Sequence, residues 1–325
     1  MKKIINLPQD ELPHSEQTIE WWYWNGHLKS KTKDYAFMTC LFKVNPQKIN
    51  IKFLKLPVTT LYFSHTIAVD LKSKTVKKEI LPAVIVSADS FKRSELFVNY
   101  FYPAKTSFIN YEIRRTNKTT RLKTGFFDLN LEDEKPILLT SGGFVDLGKK
   151  STYYYSLPRL KATGIFNGEK VTGQAWHDHQ WSEDGFMKDS WLWFSIQSKD
   201  GTDIVAFDYL GSKQATISLP NGQQQIMPVK FTPTNRPWKS PKTEITYQLN
   251  WQISIGDKYK IELKPKIKNC EVNFGSINYW EGPMTVSING QPASGFMEYL
   301  SDQETSLFDF LKDTEKYFLK KFNIL

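Results

Sequence analysis

The sequence predicts an all-β protein: two antiparallel barrels or sandwiches in tandem, followed by one C-terminal helix. Three observations predict it. Short β-branched and aromatic runs such as "YAFMTCLFKV", "LYFSHTIAVDL" and "ITYQLNWQISI" are broken by Gly, Asn, Asp and Pro throughout the chain. Two Trp-rich segments, "WWYWNGHL" at Trp21 and "WLWFSIQS" at Trp191, open similar halves, each with a Phe sixteen residues on, Phe37 and Phe207. Each half closes on an Asn-Gly hairpin, "NGEKVTGQAW" from Asn167 and "NGQPASGFME" from Asn289, because a type I′ turn needs φ > 0 at both central positions.

The 325 residues are enough for two cores. The boundary is expected near Met187–Asp189, giving residues 1–187 and 188–325. "FTPTNRPWKSPK", from Phe231 to Lys242, reads as a long loop over the second half. Helical periodicity arises only at the end, where Leu307, Phe310, Leu311, Phe318 and Phe322 share a face after Ser301 and Asp302.

Composition narrows the function classes. The net charge of +9 comes from scattered lysines, so a solvated surface is expected and no nucleic acid is implied as partner. Cys40 and Cys270 lie far apart with no metal-type spacing and read as buried thiols. "MKKIINLPQDELP" lacks the apolar core of a signal peptide, and the longest apolar run, "ILPAVIVSA", is too short to span a membrane as a helix. A cytoplasmic protein with no membrane span is the expectation.

The densest chemistry is "GQAWHDHQWSEDG", from Gly173 to Gly185. His177, His179 and Glu183 form an HxHxxxE pattern of metal-ligand type, but no histidine follows His179. A third ligand would have to return from His14, His27 or His65, so no metal is expected. In a strand, Trp176, Asp178 and Gln180 share one face while His177, His179 and Trp181 share the other. With Trp176 and Asp178 turned into an apolar interior, burial would favour the protonated carboxyl, which a proton donor requires. The alternative is a structural Asp178 held by backbone amides. The same two readings apply to Glu20, His65 and Glu281, each a polar residue set among aromatic rings.

Four segments, "IEWWYWNGHL", "YFSHTIAVD", "YYYSLPRLKATGIFNGEKVTGQAWHDHQWS" and "YWEGPMTVSINGQPASGFMEYL", resemble the lipocalin-like carotenoid 1,2-hydratase family, also called hydroxyneurosporene synthase-like or AttH-type. The resemblance runs from about Ile19 to Leu300. It implies two tandem lipocalin-like β-barrels with a ligand cavity at or near their junction. It also implies cofactor-free addition of water to an acyclic polyene, with Asp178 at the position of the family's proposed proton donor. Trp176 stands where a carotenoid hydratase is expected to carry Tyr. The family is similar to lipocalin-like Diels–Alderases, so a pericyclic cyclase or isomerase is a second reading, and a carrier of apolar ligands a third.

The expected partner is therefore a hydrophobic small molecule, with no cofactor. Asp178 and His65 are the candidate catalytic residues. Glu20, Trp22, Tyr23, Trp176, Gln180, Trp193, Tyr279, Trp280 and Glu281 are the candidates for binding substrate. Ring faces such as those of Trp22, Trp176 and Trp193 would stabilise a carbocation through their quadrupoles.

Overall fold

The alternating apolar runs form strands over nearly the whole chain. The computed structural model describes residues 4–45, 47–48, 60–81, 86–88, 94–103, 108–185, 189–274 and 277–301. Among these there is no α-helix; one 3-10 turn spans Gln9–Glu11. The expected C-terminal helix and the boundary at Met187 both lie outside the described residues. The described residues up to Asp184 form one compact unit, and those from Gly185 a second.

The first unit holds β1 (Ile19–Lys29), β2 (Asp34–Val44), β3 (Leu61–Asp70), β4 (Thr75–Leu81), β5 (Val86–Ala88), β6 (Leu96–Pro103), β7 (Phe108–Thr116), β8 (Thr119–Lys123), β9 (Phe127–Asp133), β10 (Leu138–Asp146), β11 (Ser151–Phe166) and β12 (Glu169–Ser182). They make a 12-stranded antiparallel sheet in the order β4-β3-β2-β1-β12-β11-β9-β8-β7-β6-β5, with β10 on β11. The second unit holds β13 (Trp191–Ser198), β14 (Asp203–Tyr209), β15 (Ser212–Ser218), β16 (Gln224–Pro233), β17 (Trp238–Lys239), β18 (Thr246–Tyr247), β19 (Trp251–Ile255), β20 (Tyr259–Pro265), β21 (Glu271–Phe274), β22 (Ile277–Ile288) and β23 (Gln291–Leu300). Pairing of β20 with β22 closes eight of these strands into a barrel, and β21 adds to β22.

The two units thus differ in closure. No strand pair closes the first sheet among the described residues; it is a half-barrel whose facing walls meet through side chains. The Tyr100 hydroxyl on β6 donates to Ser64 Oγ on β3 at 2.6 Å, and Thr39 on β2 bonds the Tyr111 hydroxyl on β7 at 3.0 Å. The reason is volume. Trp22, Trp24, Tyr62, Tyr100, Tyr111, Tyr155 and Trp181 fill the interior and keep the walls too far apart for backbone pairing.

The repeat read from sequence holds at the strands and hairpins. β1 lies between β2 and β12 as β13 lies between β14 and β23, so Trp21 and Trp191 are equivalently placed. Asn167-Gly168 and Asn289-Gly290 all have φ > 0 and turn β11 into β12 and β22 into β23. Phe37 and Phe207 are not equivalent. Trp21 faces Phe42 but Trp191 faces Tyr209, so the second hairpin is three residues shorter, and Phe37 opposes Gly26 while Phe207 opposes Trp193. The segment from Phe231 to Lys242 is also less of a loop than expected: β16 runs to Pro233, Phe231 stacks on Phe194 at 5.8 Å, and β17 pairs with β18.

Close approach of β1 to β12 depends on glycine. A Cβ on Gly173 would lie 2.0 Å from the His27 carbonyl oxygen and 2.8 Å from Leu28 Cα, both backbone atoms of the neighbouring strand. Gly173→Ala should therefore cost about 1–3 kcal/mol, the usual penalty for overpacking. Urea unfolding checks it, and an unchanged midpoint would show that the strands part without cost.

Candidate functional site

Strand alternation places two different chemistries on the two faces of β12, both buried. Ala175, His177, His179 and Trp181 face the half-barrel interior; Trp176, Asp178 and Gln180 face the other way. The inward set is thus the histidines and not Trp176 with Asp178.

Inside, Glu20 is fully buried and saturated. Its Oε1 meets His14 Nδ1 at 2.7 Å and His179 Nε2 at 2.8 Å, and its Oε2 accepts from the His14 backbone N–H at 2.8 Å and Lys43 Nζ at 3.1 Å. Burial pushes its pKa up, but the bonds from His14 and His179 and the charges of His179 and Lys43 outweigh that and hold it at about 2. Ligand-type atoms of His14, Glu20 and His179 lie within 4.8 Å of one another, so the upstream histidine that a metal site needed does arrive. Glu183, the third residue of the HxHxxxE pattern, is exposed and takes no part. The carboxylate is already neutralised by Lys43, which is itself 1% exposed, so the cluster stands as a complete ion-pair network. His179 is also stacked on Trp22 at 4.7 Å, and burial keeps its pKa below the usual value. His177 stacks on Trp24 at 4.4 Å with its Nδ1 on the Tyr23 carbonyl; burial holds it neutral.

The opposite face carries Asp178. Trp176 Nε1 donates to its Oδ1 at 2.6 Å, Ser156 Oγ to the same oxygen at 2.6 Å, and the Tyr154 hydroxyl to Oδ2 at 2.8 Å. These donors are side chains, where sequence reasoning expected backbone amides for a structural role. An indole N–H can only donate, whereas the Ser156 and Tyr154 hydroxyls can also accept, so these two links can pass a proton in either direction, and Tyr154 is the one on Oδ2.

Register then joins Asp178 to the second candidate. Ser156, Asp178, Tyr23, Cys40 and His65 oppose one another in turn across β11, β12, β1, β2 and β3 and form one row on this face. Three strand spacings, about 14 Å, separate Asp178 from His65. The neighbouring rows are Gln180, Trp21, Phe42 and Phe63 on one side and Trp176, Asn25, Met38 and Ile67 on the other. His65 lies against Phe42 and Phe63 with ring centroids 5.1 and 5.7 Å away, and burial drops its pKa to about 3. It is a neutral acceptor at neutral pH. Asn25 Nδ2 donates to the Tyr23 hydroxyl at 3.2 Å.

Of the residues picked from sequence, Asp178, His65, Tyr23, Trp176 and Gln180 share this face, while Glu20 and Trp22 lie in the half-barrel interior. In the second unit Trp193, Tyr279 and Glu281 face away from the barrel interior, and Trp280 faces into it, its Nε1 donating to the Lys268 carbonyl at 2.7 Å. Sequence reasoning missed Tyr154 and Ser156. Their two-residue spacing in "YYYSLP" was the available signal, since it puts both on one strand face. Cys40 and Cys270 are both buried thiols outside any disulfide, as expected.

The architecture defines a β protein of two units with a buried acid among aromatic rings. The chain belongs to the AttH-like family, whose model matches residues 1–301. Its fold is shared with a protein described as AttH from Nitrosomonas europaea, at 24% identity and a TM-score of 0.71 over 92% of this chain and 97% of that one. It is also shared with kievitone hydratase from Nectria haematococca, at 17% identity and a TM-score of 0.69 over 92% of this chain and 94% of the other. CghA in its complex with Sch210972 shares it at 10% identity and a TM-score of 0.53, over 90% of each chain. No curated protein matches the chain. No helix among the described residues is long and apolar enough to cross a membrane.

Proposed function

We propose that the protein is an enzyme that adds water to a carbon–carbon double bond of an apolar, unsaturated substrate lying against the Asp178 face. The observation that carries this reading is the Asp178 carboxyl, buried among rings, with Oδ1 pinned by Trp176 and Ser156 and Oδ2 on the Tyr154 hydroxyl. In the protonated carboxyl the Tyr154 hydroxyl turns to accept from Oδ2; that proton leaves Oδ2 for the alkene carbon, the ring faces of Tyr23 and Trp176 stabilise the cation, and water attacks it. The water's surplus proton returns to the Asp178 carboxylate, so no cofactor is consumed.

His65 lies too far along the row to reach the same carbon. As a neutral acceptor it suits a polar end of an extended substrate, with Gln180 along the neighbouring row. Glu20, Trp22 and Trp280 are assigned to packing instead, because they face the two interiors.

The shared fold with kievitone hydratase supports hydration. The resemblance to lipocalin-like Diels–Alderases makes cyclisation the competing outcome, and the fold shared with CghA is compatible with it. Incubation with an acyclic carotene, with kievitone and with a linear polyene, followed by product mass, separates the readings. Hydration adds one water, cyclisation leaves the mass unchanged, and a carrier returns its ligand intact.

A further inference from the structure

The repeat has a chemical counterpart in the second unit. Trp193 opposes Glu298 across β13 and β23 as Tyr23 opposes Asp178 across β1 and β12. Each carboxyl lies on the last strand of its sheet, on the face away from the interior. Each accepts from an indole: Trp191 Nε1 donates to Glu298 Oε1 at 2.7 Å, as Trp176 does to Asp178 at 2.6 Å. Glu298 has one thing Asp178 lacks, a second carboxyl directly opposite. Glu281 on β22 is its direct cross-strand partner and is fully buried.

Two carboxyl groups held opposite each other away from water cannot both ionise, so the pair keeps a proton. We propose that Glu298, sharing a proton with Glu281, is a second general acid of the protein, serving a neutral ligand that bears a carbonyl or hydroxyl oxygen. The proton passes from the Glu298 carboxyl to that oxygen, the carboxylate left behind keeps the Trp191 N–H, and solvent returns the proton after turnover. Trp193 supplies the adjoining ring face. Glu298 retains some surface as a residue although its carboxyl is desolvated, whereas Glu281 has none, so Glu298 is the member that meets the ligand.

Burial raises the Glu298 pKa to about 7, against the opposing bonds from Glu281 and Trp191. Among the described residues, the other titratable groups on this face of the neighbouring strands are Tyr279, two residues before Glu281, Tyr209 opposite Trp191, its hydroxyl on Asp189, and the buried Asp203 four residues before Phe207 on β14; none of them is a cation.

The shared proton stands apart from the proposed hydration; the role in turnover rests on it. Infrared titration of the carboxyl stretch of the full chain should show a protonated carboxyl persisting to about pH 7 and absent from Glu298→Gln. Folded protein binds this proton more tightly than unfolded protein between pH 4.5 and about 7, so stability should fall as pH rises through that window, and less so in Glu298→Gln. Glu281→Gln keeps one carboxyl and should shift the signal. If every carboxyl is ionised by pH 5, or if Glu298→Gln leaves the spectrum unchanged, the shared proton is refuted.

In turnover of an oxygen-bearing probe, kievitone or a linear polyene ending in a carbonyl, Glu298→Gln should lower kcat roughly 10²-fold and remove the pH limb near 7. A folded Glu298→Gln protein with an unaltered kcat–pH profile would overturn the acid role. Conversion unaffected by Asp178→Asn but lost in Glu298→Gln would sink the hydration reading while leaving this one standing.

Discussion

Asp178→Asn is expected to reduce hydration by about 10²–10⁴-fold while substrate still binds. The amide keeps the shape of the side chain, and its oxygen still accepts from Trp176 Nε1 and Ser156 Oγ. What changes is the atom opposite the Tyr154 hydroxyl: an NH₂ group replaces Oδ2 and has no proton to give to carbon. The loss should therefore appear in kcat, with KM little altered. A reaction that needs only an organised surface, such as cyclisation, should lose far less from this change. A folded Asp178→Asn protein of full activity would return the carboxylate to a purely structural role.

The second large effect is on stability and lies on the other face of the same strand. Glu20→Gln leaves Lys43 buried without a carboxylate, and the uncompensated charge should cost about 3–5 kcal/mol. Its pH dependence has a definite sign. The folded-state pKa is about 2 against 4.5 for the free side chain, so the carboxylate contributes stability that is present above pH 4.5 and is lost as pH falls towards 2. Wild-type protein should weaken through that window, and Glu20→Gln should weaken less. Urea unfolding at several pH values measures both, and a variant less than about 1 kcal/mol below wild type at pH 7 would mean that the network adds little.

Much of this architecture was legible because it rests on local rules. Strand runs, the Asn167-Gly168 and Asn289-Gly290 turns and the paired Trp21 and Trp191 strands all follow from residue type and short spacing. The register of the hairpins was not, because shifting Phe207 against Phe37 requires only a shorter turn, and both halves keep their alternation after the shift. In "WHDHQW" the alternation gave two faces but not which of them is the interior. Trp and His are both amphipathic, so composition does not separate them; the aromatic partners Trp22 and Trp24 on β1 do. The Glu20 network was hidden for a different reason. Its partners His14, Lys43 and His179 come from three separate segments, and only the tertiary fold brings them to one carboxylate.

The measurement that bears most directly on the central claim is the fate of solvent hydrogen and oxygen in the product. Turnover in deuterium oxide enriched in labelled oxygen should place one non-exchangeable deuteron on carbon, on a single face, with the labelled hydroxyl on the neighbouring carbon. Asp178→Asn should lose both incorporations together. A product of unchanged mass carrying neither label would contradict the account and point to cyclisation, and so would label incorporation in Asp178→Asn equal to that of the wild type.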